Sequence, residues 1–236
     1  MARVGVLSGS IIMEKSHLTR DHQTRTIQTP FGDALAVVTD SVALILRHGH
    51  DPAEYILPHL INHRANLQAL KNLGVTEVVG INSTGSLKKD LTPGTIVICD
   101  DFITLTATPT IYANKAVHIT PALCGKVRQK LIDAAHARGI DVVDGGVYWQ
   151  VTGPRLETRA EIRMMAGVAD IVGMTMANEA VIAQELGLSY ASACSVDNFG
   201  HGLVDTPLGM EEILAGTRKN AEVMIRLLES YIELTP

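Results

Sequence analysis

The 236 residues are 46% hydrophobic, enough for a sizeable core, but only 4% are aromatic, so aliphatic side chains and methionine must fill it. Twenty Lys and Arg stand against 25 Asp and Glu, a net charge of −5 with no basic run, which excludes attraction to nucleic acid or an anionic membrane by bulk charge. Any anion must be held by a few placed groups.

The first residues, Met1 to Ser10, carry one Arg and a short apolar run that meets a glycine, and read as a first strand rather than a signal peptide. That strand, Val4–Leu7, is followed by Ser8-Gly9-Ser10. Strands Ala34–Val38 and Val42–Leu46 come next, the second ending in Arg47-His48-Gly49-His50. A helix over Leu57–Leu73 stops at Gly74. Strand Val78–Ile81 leads into the polar segment Asn82-Ser83-Thr84-Gly85-Ser86, read as a turn, and Thr95–Cys99 is a further strand. Residues Thr104–Ile119 lack a period and read as a surface loop. A helix over Pro121–Arg138 ends at Gly139, and Gly153-Pro154-Arg155-Leu156-Glu157-Thr158 closes a strand and opens a helix, Glu157–Val168. Strand Asp170–Gly173 precedes Met174-Thr175-Met176 and a helix over Asn178–Leu186, ended by Gly187. Strand Ser189–Ser195 precedes Val196-Asp197-Asn198-Phe199-Gly200, and a helix over Met210–Leu234 completes the chain. Glycine just past a helix suits the left-handed residue that closes it.

Val- and Ile-rich strands alternating with helices predict an α/β fold in one domain over residues 1–236, with a central mixed, mostly parallel twisted sheet flanked by helices. No apolar stretch reaches the roughly 18 to 20 residues that span a bilayer. Cys99, Cys124 and Cys194 are far apart and have apolar neighbours, as reduced thiols of a cytoplasmic protein do.

In open α/β sheets ligands lie beyond the carboxyl ends of the strands, so the segments after the strands are the candidates. Ser8-Gly9-Ser10 is either a tight turn or a set of anion donors. Arg47 is either a surface residue or a fork that takes two phosphate oxygens by parallel hydrogen bonds. Asn82–Ser86 is either a helix N-cap cluster or a donor-rich turn. Glu157 by itself complements a helix dipole and Asn198 by itself suits a turn. Together, three anion-friendly segments at three strand ends suggest an oxyanion site. No HExxH or GxxxxGK[ST] pattern occurs, so neither a metal nor a nucleoside triphosphate is implied.

Taken in order, Ser8-Gly9-Ser10, Arg47-His48-Gly49, Asn66 through Leu70, Asn82 through Leu87, Gly153 through Thr158, Gly173-Met174-Thr175 and Tyr190-Ala191-Ser192 resemble the trimeric purine nucleoside phosphorylase and methylthioadenosine phosphorylase family. The resemblance runs from Val4 to about Leu228. It implies the nucleoside phosphorylase fold, inorganic phosphate as co-substrate, no other cofactor, and a homotrimer or a hexamer of two trimers. By the same resemblance Ser10, Arg47, His48, Ser83 and Thr175 hold phosphate, and Met174 lies against the ribose. Leu156, Glu157 and Asn198 form the base pocket, with Glu157 and Asn198 as the catalytic pair, and His118 reaches a neighbouring subunit's sugar site. Two positions depart from the family pattern: Ile11 stands where glycine is common, and Asn178-Glu179 replaces a proline-glutamate pair.

A 6-oxopurine offers an N1–H donor, a carbonyl at C6 and, once protonated, an N7–H donor. A carboxylate at Glu157 accepts from N1–H, and an amide at Asn198 serves N7–H and the carbonyl together. Adenine reverses that pattern, and the adenine-selective branch of the family usually carries aspartate at the position of Asn198 and serine at that of Glu157. Asp197, next door, would restore the adenine alternative if the register moved by one. On the 5′ side, Met210 with Val204 and Leu208 suits a methylthio group, and His201 suits a hydroxyl. The expected reaction is therefore phosphorolysis of 5′-methylthioinosine or of inosine and guanosine, as in purine salvage. A methylthioadenosine phosphorylase, a hydrolytic nucleosidase and a catalytically silent binder are the competing classes.

Overall fold

The chain is described by a computed structural model over residues 3–9, 22–205 and 207–235. Among these residues eleven strands form one sheet. In chain order they are β1 (Val4–Ser8), β2 (Gln23–Ile27), β3 (Ala34–Val38), β4 (Val42–Leu46), β5 (Glu77–Ser86) and β6 (Ile96–Ile98). The rest are β7 (Asp101–Thr104), β8 (Val143–Asp144), β9 (Val147–Gln150), β10 (Ile171–Gly173) and β11 (Ser189–Phe199). Five helices flank the sheet: α1 (His63–Asn72), α2 (Gly125–Ala137), α3 (Arg159–Met165), α4 (Met176–Glu185) and α5 (Met210–Glu233).

The main path runs β2-β3-β4-β1-β5-β10-β9-β7, while β11 lies on β5 and carries β6, which carries β8. The pairs β1·β4, β1·β5, β5·β11, β9·β10, β7·β9 and β6·β8 are parallel. The pairs β2·β3, β3·β4, β5·β10 and β6·β11 are antiparallel, so the sheet is mixed and mostly parallel, as the alternation of elements predicts.

Alternate residues of the strands feed two cores. On one face Leu7, Ile45, Val78 and Tyr190 pack with Leu67 and Leu70 of α1 and Ala180 of α4. On the other Val6, Leu44, Val79 and Ala191 pack with Leu131 of α2 and Met224 and Leu228 of α5. A smaller cluster joins Trp149 to Ile162 and Met165 of α3. Among the described residues no helix is long and apolar enough to cross a membrane.

Two strand readings and four helix starts are corrected. Asn82–Ser86 is not a turn, and Val196–Phe199 does not follow a strand: both belong to strands. Glu77–Ser86 and Ser189–Phe199 pair in parallel along their whole length, with one bulge between Val196 and Asn198, so the ladder satisfies their backbone groups. Their polar side chains are hidden by bonding each other, Asn82 Nδ2 to Ser192 Oγ at 2.6 Å and Thr84 Oγ1 to Ser195 O at 2.8 Å.

The first helix begins at His63, six residues after Leu57. Pro58 opens a single 3₁₀ turn, and Asn62 is the true cap, its side chain accepting from Ala65 N at 3.1 Å. Likewise α3 begins after Thr158, where Thr158 and Glu161 close a capping box, so Glu157 precedes the helix instead of opening it. Helix α2 starts at Gly125 instead of Pro121, and α4 at Met176 instead of Asn178. Gly74, Gly139 and Gly187 carry the expected positive φ. Strand β2 escaped notice because four of its five residues are exposed and it carries no apolar alternation.

Candidate functional site

The carboxyl ends of β4, β5, β10 and β11 carry half of the predicted residues: Arg47, His48, Ser83, Met174, Thr175 and Asn198. Arg47, one residue past β4, is buried at 3% exposure. Its Nε donates to Glu179 Oε1 at 2.6 Å and one Nη2 proton to Glu179 Oε2 at 3.2 Å. Further bonds run from Nη2 to Leu7 O and from Nη1 to Ile81 O, each at 2.7 Å. The two-bond grip that the sequence suggested for phosphate is therefore occupied by a carboxylate. Burial raises the Glu179 pKa, while Arg47 and the Tyr190 hydroxyl pull it down.

His48 stacks on Tyr55 with ring centroids 4.6 Å apart, and its Nδ1 lies 2.8 Å from Ile56 O. Desolvation pushes its pKa down to about 4, opposed by that backbone bond, so near neutral pH the ring is uncharged. Nδ1–H then donates to Ile56 O and Nε2 is left as an acceptor, suited to a protonated phosphate oxygen.

Thr175, between β10 and α4, is buried, its Oγ1 donating to Asn82 Oδ1 at 2.7 Å. Its backbone N–H and that of Met176 donate to the Tyr148 hydroxyl, and Gln150 Oε1 takes the N–H of Ala177 at 2.6 Å. The first amides of α4 are thus satisfied from within the fold. Ser83 is the one exposed residue of β5 and pairs in register with Ser195. Strand alternation points its side chain away from the face that holds Asn82. Ser10 lies outside the described residues.

The surroundings of Asn198 and Glu157 are built differently. Asn198 is 7% exposed, opposite Gly85 of β5 in register. A Cβ on residue 85 would stand 3.1 Å from Asn198 Nδ2 and 3.4 Å from a Val172 methyl, so a side chain there would crowd the amide. Asn198 Nδ2 donates to Phe199 O at 2.9 Å, which leaves the amide oxygen and one N–H uncommitted among the described residues. Asp197 faces the opposite way. Its Oδ1 takes Asn220 Nδ2 at 2.7 Å and its Oδ2 takes Thr217 Oγ1 at 2.7 Å, both from α5.

Glu157 is 7% exposed and its pKa is raised, chiefly by desolvation, against a hydrogen bond from its own backbone. It lines a cleft of about 230 Å³ with Leu105, Trp149, Gln150, Thr152 and Arg155. The loop after β11 is tied to it, since His201 Nδ1 lies 3.2 Å from Glu157 O and Arg159 Nε 3.4 Å from His201 Nε2. His201 is thereby engaged with Glu157 and Arg159.

Leu156 and Met174 are half-buried, and Met174 packs where a Gly153 side chain would lie. Val204 and Leu208 are half-buried and Met210 is 60% exposed at the start of α5. His118 is exposed in the segment between β7 and α2. No group of three or more His, Cys, Asp or Glu suited to a metal occurs among the described residues.

Sequence reasoning missed Asn82 as the partner of Thr175 and Glu179 as the partner of Arg47. For Glu179 a signal was present: it sits in the run Met176 to Ala183, where an acid among buried apolar residues requires a cation.

Comparison with known proteins adds four findings. The family model described as "Phosphorylase superfamily" matches residues 10–233. A protein of Archaeoglobus fulgidus named "Probable 6-oxopurine nucleoside phosphorylase" is 40% identical over 98% of this chain and 96% of its own. One of Methanothermobacter thermautotrophicus named "Probable S-methyl-5'-thioinosine phosphorylase" is 35% identical over 97% of this chain and 83% of its own. Among solved structures, methylthioadenosine phosphorylase from Schistosoma mansoni in complex with adenine superposes with a TM-score of 0.90 at 30% identity, covering 99% of this chain and 91% of that one.

Proposed function

Because this chain belongs to the phosphorylase superfamily, we propose that it cleaves the N-glycosidic bond of 6-oxopurine nucleosides with inorganic phosphate, releasing the free base and a sugar 1-phosphate. The observation that carries the choice of base is the opposed orientation of Asp197 and Asn198. The acid is turned into α5 and doubly bonded there, and the amide is the group left beside Gly85. An aspartate at the base would favour adenine; an amide paired with the Glu157 carboxylate favours a purine with N1–H and a carbonyl at C6. Setting that carboxylate against adenine N1 would oppose two acceptors in a buried site, at a cost of roughly 1–3 kcal/mol or more.

In the reaction the C1′–N9 bond lengthens and the sugar gains oxocarbenium character. A phosphate oxygen attacks C1′ and becomes the anomeric oxygen of the sugar phosphate, while the bonding pair of C1′–N9 passes to the purine. Asn198 accepts from N7–H through its amide oxygen and donates its free N–H to the C6 carbonyl. Glu157 accepts from N1–H and holds the ring in register. A donor placed where charge develops is worth about 2.7–4 kcal/mol in the transition state. Arg47, His48, Thr175 and Ser10 form the phosphate side, with no other cofactor.

The same proposal includes a homotrimer or a pair of trimers in which the exposed His118 meets a neighbour's sugar site, and residence in the cytoplasm, where three free thiols stay reduced. Val204, Leu208 and Met210 favour a 5′-methylthio group over a hydroxyl, since His201 is engaged with Glu157 O and Arg159.

Base release from inosine, guanosine, methylthioinosine and methylthioadenosine, each with and without phosphate, tests the proposal. Hypoxanthine release that requires phosphate is expected, with methylthioadenosine the slowest substrate. Release that ignores phosphate would mark a hydrolytic nucleosidase, and methylthioadenosine as the fastest substrate would overturn the base assignment.

A further inference from the structure

A guanidinium delivers its hydrogen bonds in fixed directions from a rigid plane, so what holds that plane decides where the last donor points. Four of the five N–H donors of Arg47 are directed inside the fold: to both oxygens of Glu179, to Leu7 O and to Ile81 O. One Nη1 proton is left among the described residues, at the strand edge that also carries His48 and Thr175.

Glu179, which takes the Nε side of the fork, is held in turn. It lies in the first turn of α4 at 0% exposure, and its Oε2 accepts from the Tyr190 hydroxyl at 2.8 Å. The Tyr190 hydroxyl fits because residue 80 has no side chain, since a Cβ on Gly80 would collide with it. Residues from β5, β11 and α4 thus converge on one arginine.

Stability alone does not account for this arrangement. Replacing a buried ion pair with apolar side chains of similar volume is often neutral or stabilising. The neighbours of Glu179 on α4, Met176, Ala180, Val181 and Ile182, show that an apolar residue suits the helix.

We propose that Glu179 is a positioning residue, supported by Tyr190, which through Arg47 aims the remaining guanidinium N–H at inorganic phosphate; this rests on the phosphorolysis proposed above. The pair is neutral overall, so phosphate meets a directed donor more than a net positive field, in keeping with a chain of charge −5.

Initial rates with phosphate varied at saturating nucleoside, and with nucleoside varied at saturating phosphate, test this. Glu179→Gln keeps the volume but turns an amide N–H toward the guanidinium. It should raise the KM for phosphate about tenfold or more and leave the KM for nucleoside within about twofold. Tyr190→Phe, a gentler change that keeps the ion pair, should raise the phosphate KM about threefold. In an Arg47→Met background, Glu179→Gln should move the phosphate KM no further, because its route of action is gone.

An unchanged phosphate KM in Glu179→Gln, an equal rise in both KM values, or an additive effect on top of Arg47→Met would overturn the assignment. If Glu179→Gln does not fold, Tyr190→Phe decides, and an unchanged phosphate KM there has the same force. A wild-type enzyme indifferent to phosphate would instead overturn the phosphorolysis proposal and this one with it.

Discussion

The surroundings of Arg47 and those of Asn198 and Glu157 are built on opposite plans. Around Arg47 the guanidinium, Glu179, Tyr190, Thr175 and Asn82 are bonded inside the fold, while Ser8 Oγ and both ring nitrogens of His63, also buried, have no partner among the described residues. Around Asn198 and Glu157 the side chains are as deeply buried, yet the amide keeps its oxygen and one N–H free and the carboxylate leans on little beyond its own backbone. A site that binds the same anion in every turnover gains from rigidity. A site that must strengthen its hold as charge moves onto a purine needs acceptors and donors still unmet.

Substitutions on the two sides should therefore fail in different ways. The largest effect is expected from Arg47→Ala, which strands the Glu179 carboxylate in the core. Chemical denaturation should show a loss of about 3–5 kcal/mol, together with a higher phosphate requirement. Asn198→Ala should do the reverse, lowering turnover about 100- to 1,000-fold with little shift of the thermal midpoint, since one bond to a neighbouring carbonyl is all it gives up in the fold. A turnover within a few-fold of wild type would remove Asn198 from the chemistry.

The acid limb of the pH profile is a finer probe. Glu157 must be ionised to accept from N1–H, and burial raises its pKa, so its charge is lost at a higher pH than that of an ordinary carboxyl. As pH falls through that raised value, kcat/KM should drop about tenfold per unit, and Glu157→Gln should flatten this limb. Persistence of the limb in the variant would assign it to another group. The smallest effect belongs to the sugar end, where Met210→Ala should narrow any preference for methylthioinosine over inosine by a few-fold, read from the ratio of kcat/KM values.

Much of this was legible from residue order. Short Val- and Ile-rich runs gave β1, β3, β4 and β10 nearly to the residue, and the rule that ligands lie beyond strand ends singled out Arg47 and Thr175 as candidates, along with Asn198, which lies inside β11. What stayed hidden was tertiary. Polar runs such as Asn82–Ser86 look like turns until a second polar strand lies beside them to share hydrogen bonds. The Arg47–Glu179 pair joins residues 132 positions apart, beyond the reach of any local pattern. The choice between Asp197 and Asn198 turned on a bulge, which shifts side-chain direction by a single residue and leaves no mark in composition.

That bulge also ties distant parts of the protein into one mechanical unit. Helix α5 crosses β11 so closely that Gly216 leaves no room for a side chain against the Asp197 carbonyl, and Thr217 and Asn220 on the next turn grasp the Asp197 carboxylate. The same helix begins at Met210, beside the residues suited to the 5′ substituent. Asp197, the residue adjoining the Asn198 amide, is therefore fastened to the same helix that opens at Met210.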